Sequence, residues 1–310
     1  MIHICIYSFY KDSFLQNCLN SINESSYQDY FIDLYIYSEQ IEVNILELKQ
    51  ISKIEINVLN KRKSFAEISN ISIAKATERQ HSFFMLLNSD TLLEKKALSL
   101  LVETFSLKNN IGVVGGFQTA FDGEWNEPNL WTKNALKDNY SSEKIIKHQQ
   151  EFTLYKYDYV QGACMLMKMS IFDEVDLFDE RFVFFYEETE LCRRIRNKFY
   201  DIVILEEAKV KHFSGGTWKK NMLFQYRRDV LYLTNQIIFE STENSTTKKQ
   251  LVLKVFSIIQ KQIKNLWHKT DNHRLPVIFY PFILFNLIYK SNFLRNLFQK
   301  QSAFLLQQNG

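Results

Sequence analysis

The chain has 310 residues, of which 46% are hydrophobic, enough to build one large domain or a domain with an appendage, and that composition excludes a disordered chain. Cys5, Cys18, Cys164 and Cys192 form no CxxC or other ligand spacing. Met1-Ile-His-Ile lacks the basic and long apolar regions of a signal peptide, so the expected compartment is a reducing cytoplasm.

In chain order, short β-rich runs alternate with helical patterns: Ile2–Tyr7 then Ser13–Ile22; Phe31–Tyr37; Ile54–Leu59 then Phe65–Thr77; Ser82–Leu87 then Glu94–Leu107; and Ile111–Gly115. This alternation predicts βαβ units and an α/β fold with a doubly wound, mostly parallel sheet. Ligands of such sheets bind beyond the carboxyl ends of the strands, so the residues following each strand carry the information. After Phe83–Leu87 comes Asn88-Ser89-Asp90-Thr91, a carboxylate at the lip of a buried strand. It suits a ligand of a metal diphosphate, and equally a cap on a helix starting near Leu93.

Residues 117–152 are polar, aperiodic and read as an active-site loop insertion. Tyr157–Lys168 is the next β-rich run, with Gly162-Ala163 in its middle marking close approach by a ligand or by another backbone. The segment Phe184-Phe-Tyr-Glu-Glu-Thr-Glu-Leu-Cys-Arg-Arg194 then sets three aromatics against three carboxylates. Read as a helix, it has Leu191, Ile195 and Phe199 recurring every four residues on its apolar face, with Glu187 and Glu188 in the first turn. Glu190 faces Arg193 and Arg194 at i+3 and i+4. Strands near Ile202–Leu205 and Lys209–Phe213 follow, and His212 ends the second.

Taken in order, these pieces resemble the family 2 inverting glycosyltransferases of the GT-A fold, nearest the rhamnosyltransferase-like branch. The likeness covers about residues 2–230. It rests on Ile4-Cys-Ile-Tyr-Ser-Phe-Tyr-Lys11 with Cys18-Leu-Asn-Ser-Ile22, on Ser64-Phe-Ala-Glu-Ile-Ser-Asn70, and on the DxD-type Leu86-Leu-Asn-Ser-Asp-Thr91. It rests further on Gln161-Gly-Ala-Cys-Met-Leu166, Leu177-Phe-Asp-Glu180, the Glu187-Glu188 pair and His212.

The resemblance implies a domain over residues 1–230 that uses a nucleotide sugar. Glu188 stands at the position of the catalytic base, with Glu187 beside it. Asp90 and His212 are the implied ligands of Mn²⁺ or Mg²⁺. Tyr7, Ser8, Phe9, Glu39, Arg62, Asn70, Asn88 and Ser89 are the implied donor-side residues, and Gln161, Gly162 and Ala163 the acceptor-side ones. The implied reaction passes a hexose, rhamnose by default, from a dTDP- or UDP-sugar to a cell-surface polysaccharide or lipid-linked glycan. Two departures stand out. Glu188 occupies a position where the family commonly has Asp, which leaves Glu187 as the alternative base. Tyr37-Ser-Glu39 replaces an Asp-rich turn that helps hold the nucleotide, so the nucleotide stays open.

The net charge of +3 is uneven. Residues 241–310 hold ten Lys or Arg against Glu243 and Asp271, a surplus of eight that leaves residues 1–240 at −5. Beyond Thr247 apolar residues fall at helical spacing between lysines, and Pro276–Tyr289 is nearly all apolar yet too short to span a membrane. Residues 231–310 therefore read as a basic amphipathic helical appendage lying on the inner face of the membrane, which makes the protein peripheral. Packing on the catalytic domain, or on a second subunit as a homodimer, is the alternative. No nucleic-acid motif accompanies the charge.

Overall fold

The computed structural model describes residues 1–8, 13–37, 53–120, 128–137, 141–213, 231–232, 235–236 and 238–240. The chain divides into two compact units, Met1–Trp218 and Lys219–Gly310. Phe9, Glu39, part of the 117–152 insertion and the basic tail beyond Thr247 lie outside the described residues.

The elements of the first unit are β1 (Ile2–Ser8), α1 (Ser13–Asn23), β2 (Tyr30–Tyr37), β3 (Ile54–Leu59), α2 (Phe65–Glu78), β4 (Phe83–Asn88), β5 (Thr91–Leu93) and α3 (Ala97–Thr104). They continue with β6 (Ile111–Ala120), α4 (Leu130–Lys137), β7 (Ser141–Lys147), β8 (Gln150–Lys156) and β9 (Cys164–Lys168). A short 3-10 turn leads into α5 (Phe172–Val175), followed by α6 (Glu187–Asn197) and β10 (Asp201–His212).

Their order across the sheet is β3-β2-β1-β4-β9-β6-β10-β8-β7, with β5 pairing with β10. Pairing is parallel from β3 through β4 and again between β6 and β10. β9 runs antiparallel between these two blocks. Every residue of β1 is buried, as a strand covered on both faces requires. Leu15 and Leu19 of α1 and Leu98 and Leu101 of α3 pack on one face. Ile68 and Ile73 of α2 and Leu191 and Ile195 of α6 pack on the other. The expected α/β, doubly wound arrangement is thus present. α2 opens on a full capping box, in which Ser64 and Glu67 satisfy each other's backbone N–H groups.

Four expectations need correcting. The 117–152 insertion is not a bare loop: it contains the end of β6, the helix α4, β7 and the start of β8. Only the last five residues of the 157–168 run form a strand. The two strands expected after α6 are one, because β10 runs through a register shift between Leu205 and Lys209. Phe199 does not continue the apolar stripe of α6. It lies past the helix end with φ 64° and is 90% exposed, in the left-handed position where glycine is usual.

A buried polar cluster that the periodicity did not foretell ties α2 to the sheet. Asp33 of β2 is fully buried and accepts hydrogen bonds from Tyr35 Oη (2.7 Å), Ser72 Oγ (2.8 Å) and Asn57 Nδ2 (2.8 Å). Lys75 Nζ pairs with it at 3.2 Å and reaches on to Glu55 at 2.6 Å. Burial raises the Asp33 pKa, but hydrogen bonds from His3, Tyr35 and Ser72 and the charge of Lys75 outweigh it and hold the carboxyl well below the usual range. A carboxylate depressed in the folded state stabilises fully above its unfolded pKa and loses that contribution as the pH falls below it. Asp33→Ala should therefore lower unfolding free energy by about 3 kcal/mol in urea titrations near neutrality. It should also flatten the acid limb of stability below about pH 4. A loss under about 1 kcal/mol would remove this cluster from the account of the fold.

Candidate active site

The site is built where β4 ends. Thr91 Oγ1 donates to the Asn88 carbonyl at 2.6 Å, which closes the Asn88–Thr91 turn and sends the chain into β5. β5 pairs antiparallel with the end of β10, with Thr91 opposite His212, and the Phe213 amide donates to the Asp90 carbonyl at 3.1 Å. This pairing brings Asp90 and His212 together: Asp90 Oδ1 lies 3.4 Å from His212 Nε2. Asn88 Nδ2 is 3.3 Å from the same nitrogen. The helix-cap reading of Asp90 falls away, because Thr91–Leu93 is a strand and α3 starts at Ala97.

Across the site, Phe185 and Tyr186 have φ of 70° and 72°, and Tyr186 stands at the N-cap of α6 in the left-handed region with no side-chain cap. Two consecutive non-glycine residues there store roughly 1–3 kcal/mol each, a strain that clusters at functional sites. They turn the chain so that α6 begins with Glu187 and Glu188, each with a buried Oε2 that has no hydrogen-bond partner among the described residues. Burial pushes the Glu187 carboxyl well up, and the charge of Glu188 pushes it further. Burial also raises Glu188, opposed by hydrogen bonds from its own amide and that of Gly162. Glu190, by contrast, is structural. It accepts a forked pair from Arg194 at 2.7–2.9 Å, and Arg194 also donates to the carbonyls of Val175, Asp176 and Leu177.

The segment Gln161–Cys164 links these two halves. It is a turn closed by Cys164 N–H to Gln161 O at 3.3 Å. Within it the Gly162 amide serves Glu188, and the Ala163 carbonyl accepts the Asn88 amide at 3.2 Å. The close approach read from Gly162 is to a side chain: a Cβ there would stand 3.3 Å from Phe65 Cε1.

The donor-side expectations divide. Ser8 and Ser89 are buried, at the end of β1 and in the turn after β4. Tyr7 Oη donates to the Lys63 carbonyl at 3.0 Å, which anchors the approach to α2 beside the exposed Arg62. Asn70 is engaged elsewhere, since its amide bonds Phe178 N, Phe178 O and Glu180 Oε1 at 2.9–3.1 Å and braces the 178–180 turn. Sequence reasoning missed Gln118 and Asn129. Gln118 Oε1 is 3.1 Å from His212 Nδ1 and accepts Asn129 Nδ2 at 3.2 Å. Both lie in the stretch read as loop, where nothing marked them.

Asp90 and His212 fit a hard divalent cation such as Mn²⁺ or Mg²⁺, which takes one or two protein ligands and fills its shell with phosphate oxygens and water. Among the described residues no group of three or more His, Cys, Asp or Glu side chains could hold a metal, so a closed all-protein cage is not built there. No helix of the described residues is long and apolar enough to cross a membrane.

Comparison with known proteins agrees with this architecture. The Low-salt glycan biosynthesis hexosyltransferase Agl10 of Haloferax volcanii is 34% identical over 53 residues, a stretch that takes in 17% of this chain and 17% of that protein. TarS of S. aureus (residues 1–349) superposes with a TM-score of 0.53 at 12% identity, over 89% of this chain and 75% of that one. The mannosyltransferase PcManGT from Pyrobaculum calidifontis, solved with GDP-Man and Mn²⁺, gives 0.57 at 11% identity, over 86% and 71%. At such identities these structures speak for the fold. The model of the family described as "Glycosyltransferase like family 2" matches residues 2–229, well over half of the length, and the chain belongs to that family.

Proposed function

We propose that the protein is an inverting glycosyltransferase that passes a hexose from a nucleoside diphosphate sugar to a hydroxyl of a glycan or lipid-linked acceptor. The observation that carries this reading is the meeting of Asp90 and His212 at the lip of the sheet, 3.4 Å apart, where the Asn88–Thr91 turn after β4 leads into the β5–β10 pairing.

In this reading Glu188 is the base. Burial raises both carboxyls, so the pair shares a proton more readily than two free glutamates, and backbone amides favour the charge on Glu188. The acceptor oxygen bonds to the anomeric carbon as its proton passes to Glu188. The bond from that carbon to the diphosphate oxygen breaks, and the nucleoside diphosphate leaves with the electron pair. Asp90 and His212 would hold Mn²⁺ or Mg²⁺, which when bound supplies Lewis-acid stabilisation of the leaving diphosphate. Rhamnose as the sugar and dTDP or UDP as the carrier rest on the family resemblance. UDP has in its favour a TarS structure solved with UDP, and GDP the PcManGT complex. The basic segment beyond Thr247 is assigned to an anionic membrane surface at the inner leaflet.

Thermal unfolding with UDP-, dTDP- and GDP-sugars, with and without Mn²⁺, tests the donor side. A donor at 100 times its Kd should add about 2.7 kcal/mol, and Asp90→Asn should lose the metal-dependent part. No response to any donor would overturn the reading. Glu188→Gln should abolish transfer and leave donor binding intact. Because the Glu188 pKa is raised, activity that needs its carboxylate should fall away at a pH above the ordinary glutamate value of 4.5. An acid limb at or below that value would remove Glu188 from the role. Deleting residues 247–310 should release the protein from anionic liposomes, and unchanged sedimentation would place the membrane contact elsewhere.

A further inference from the structure

The hydrogen bonds around His212 form a directed chain that starts at a backbone amide. Thr132 N–H donates to Asn129 Oδ1 at 2.9 Å, in the first turn of α4. A backbone amide can only donate, so Asn129 Oδ1 is the acceptor and Asn129 Nδ2 faces Gln118 as a donor at 3.2 Å. Gln118 must then present its oxygen, because a turned amide would set NH₂ against NH₂. That oxygen lies 3.1 Å from His212 Nδ1 and can only accept, so Nδ1 carries a proton. Gln118 is fully buried, and Asn129 N–H and Thr132 Oγ1 both donate to its carbonyl, at 3.0 and 2.7 Å, so its backbone is fixed as well. The orientation leaves Gln118 Nε2 buried without an acceptor among the described residues. The Oε1 contacts hold it in spite of that cost, about 1–3 kcal/mol.

We propose that Gln118, oriented by Asn129, is a positioning residue that locks His212 in its Nδ1-protonated state, so that the ring receives a divalent cation through Nε2. This rests on the reading of Asp90 and His212 as cation ligands and deepens it. Nε2 is the nitrogen turned toward Asp90 Oδ1 and Asn88 Nδ2. A ligating imidazole is commonly fixed through its other nitrogen, and loss of that partner typically weakens metal binding 10–100-fold. The lock also ties the metal-site histidine to the first turn of α4, an element that contributes no ligand.

The test uses the full chain. Long-range ¹H–¹⁵N spectra at about pH 8, above the ordinary histidine range, report which imidazole nitrogen is protonated, and the His212 signals are those lost in His212→Gln. The metal-free wild type should give the Nδ1-protonated pattern. Gln118→Leu should shift it toward the Nε2-protonated form, and Gln118→Glu, which keeps an acceptor, should preserve it. Asn129→Ala, a change outside the core, should give a mixture and covers the case in which Gln118→Leu does not fold. Calorimetric Mn²⁺ affinity should fall roughly 10–100-fold in Gln118→Leu and stay near wild type in Gln118→Glu. An Nε2-protonated wild type, or a pattern unmoved in both Gln118→Leu and Asn129→Ala, overturns the proposal. A wild type with the Nδ1-protonated pattern that binds no Mn²⁺ overturns the cation reading and with it the metal half of the proposal, while the lock itself stands.

Discussion

The short pairing of β5 with β10 is the contact on which the site depends. β4 delivers Asn88 to the lip of the sheet, but a strand end alone leaves Asp90 with a single backbone to work with. Three residues of antiparallel ladder carry the chain across to the last strand and set Thr91 opposite His212. Side chains more than 120 positions apart then meet within 3.4 Å. Backbone hydrogen bonds set the distance between the two groups, so neither side chain has to search for the other. That is preorganisation by main chain, which loses less on binding than two long side chains freezing in place.

The opposite wall of the site uses strain and burial where the first uses pairing. Two left-handed residues deliver the acid pair to the first turn of α6, where Glu187 is buried and Glu188, half-buried, keeps its Oε2 out of water. Acids in that turn gain from the helix dipole, yet the dipole is not the larger effect here. It acts over a few tenths of a kcal/mol up to about 1, whereas desolvation of carboxyls moves pKa values by whole units. Glu190 sits one residue beyond the pair's neighbour and behaves as an ordinary partner of Arg194. Three glutamates in four positions thus do two kinds of work, separated by which of them has an arginine within reach.

Much of this was legible in the chain itself. Period-two and period-3.6 patterns located β1 to β4 and α1 to α3 because those segments bury one face or both in a single core. The ordered motifs brought out Asp90, Glu187, Glu188 and His212. The patterns failed where the structure is held by something other than periodic burial. β7 is largely exposed, so its alternation was buried in polar composition. Phe199 fits the apolar spacing of α6 but lies past the C-cap, Lys198, in the left-handed region. The Asp33 cluster and the Gln118–Asn129 chain are made of single polar residues far apart in sequence. No local signal announces partners that only tertiary folding brings within 3 Å or so of each other.

The register shift in β10 has a consequence for which way its final residues face. Leu205 pairs with Gly116 and Lys209 with Phe117, so one step along β6 corresponds to four along β10. Side chains alternate with a period of two, and the three unpaired residues therefore reverse the phase of everything that follows. Glu206 and Glu207 of that bulge are tied to the hairpin, through Tyr155 Oη and the Thr153 amide. The side of the sheet on which His212 emerges is thus a matter of counting: a chain one residue shorter or longer at 206–208 would turn the histidine away from Asp90 without altering any residue of the site. Length at this bulge, rather than identity, is what the site constrains, and the bulge acts as the phase setting of the strand's last four residues.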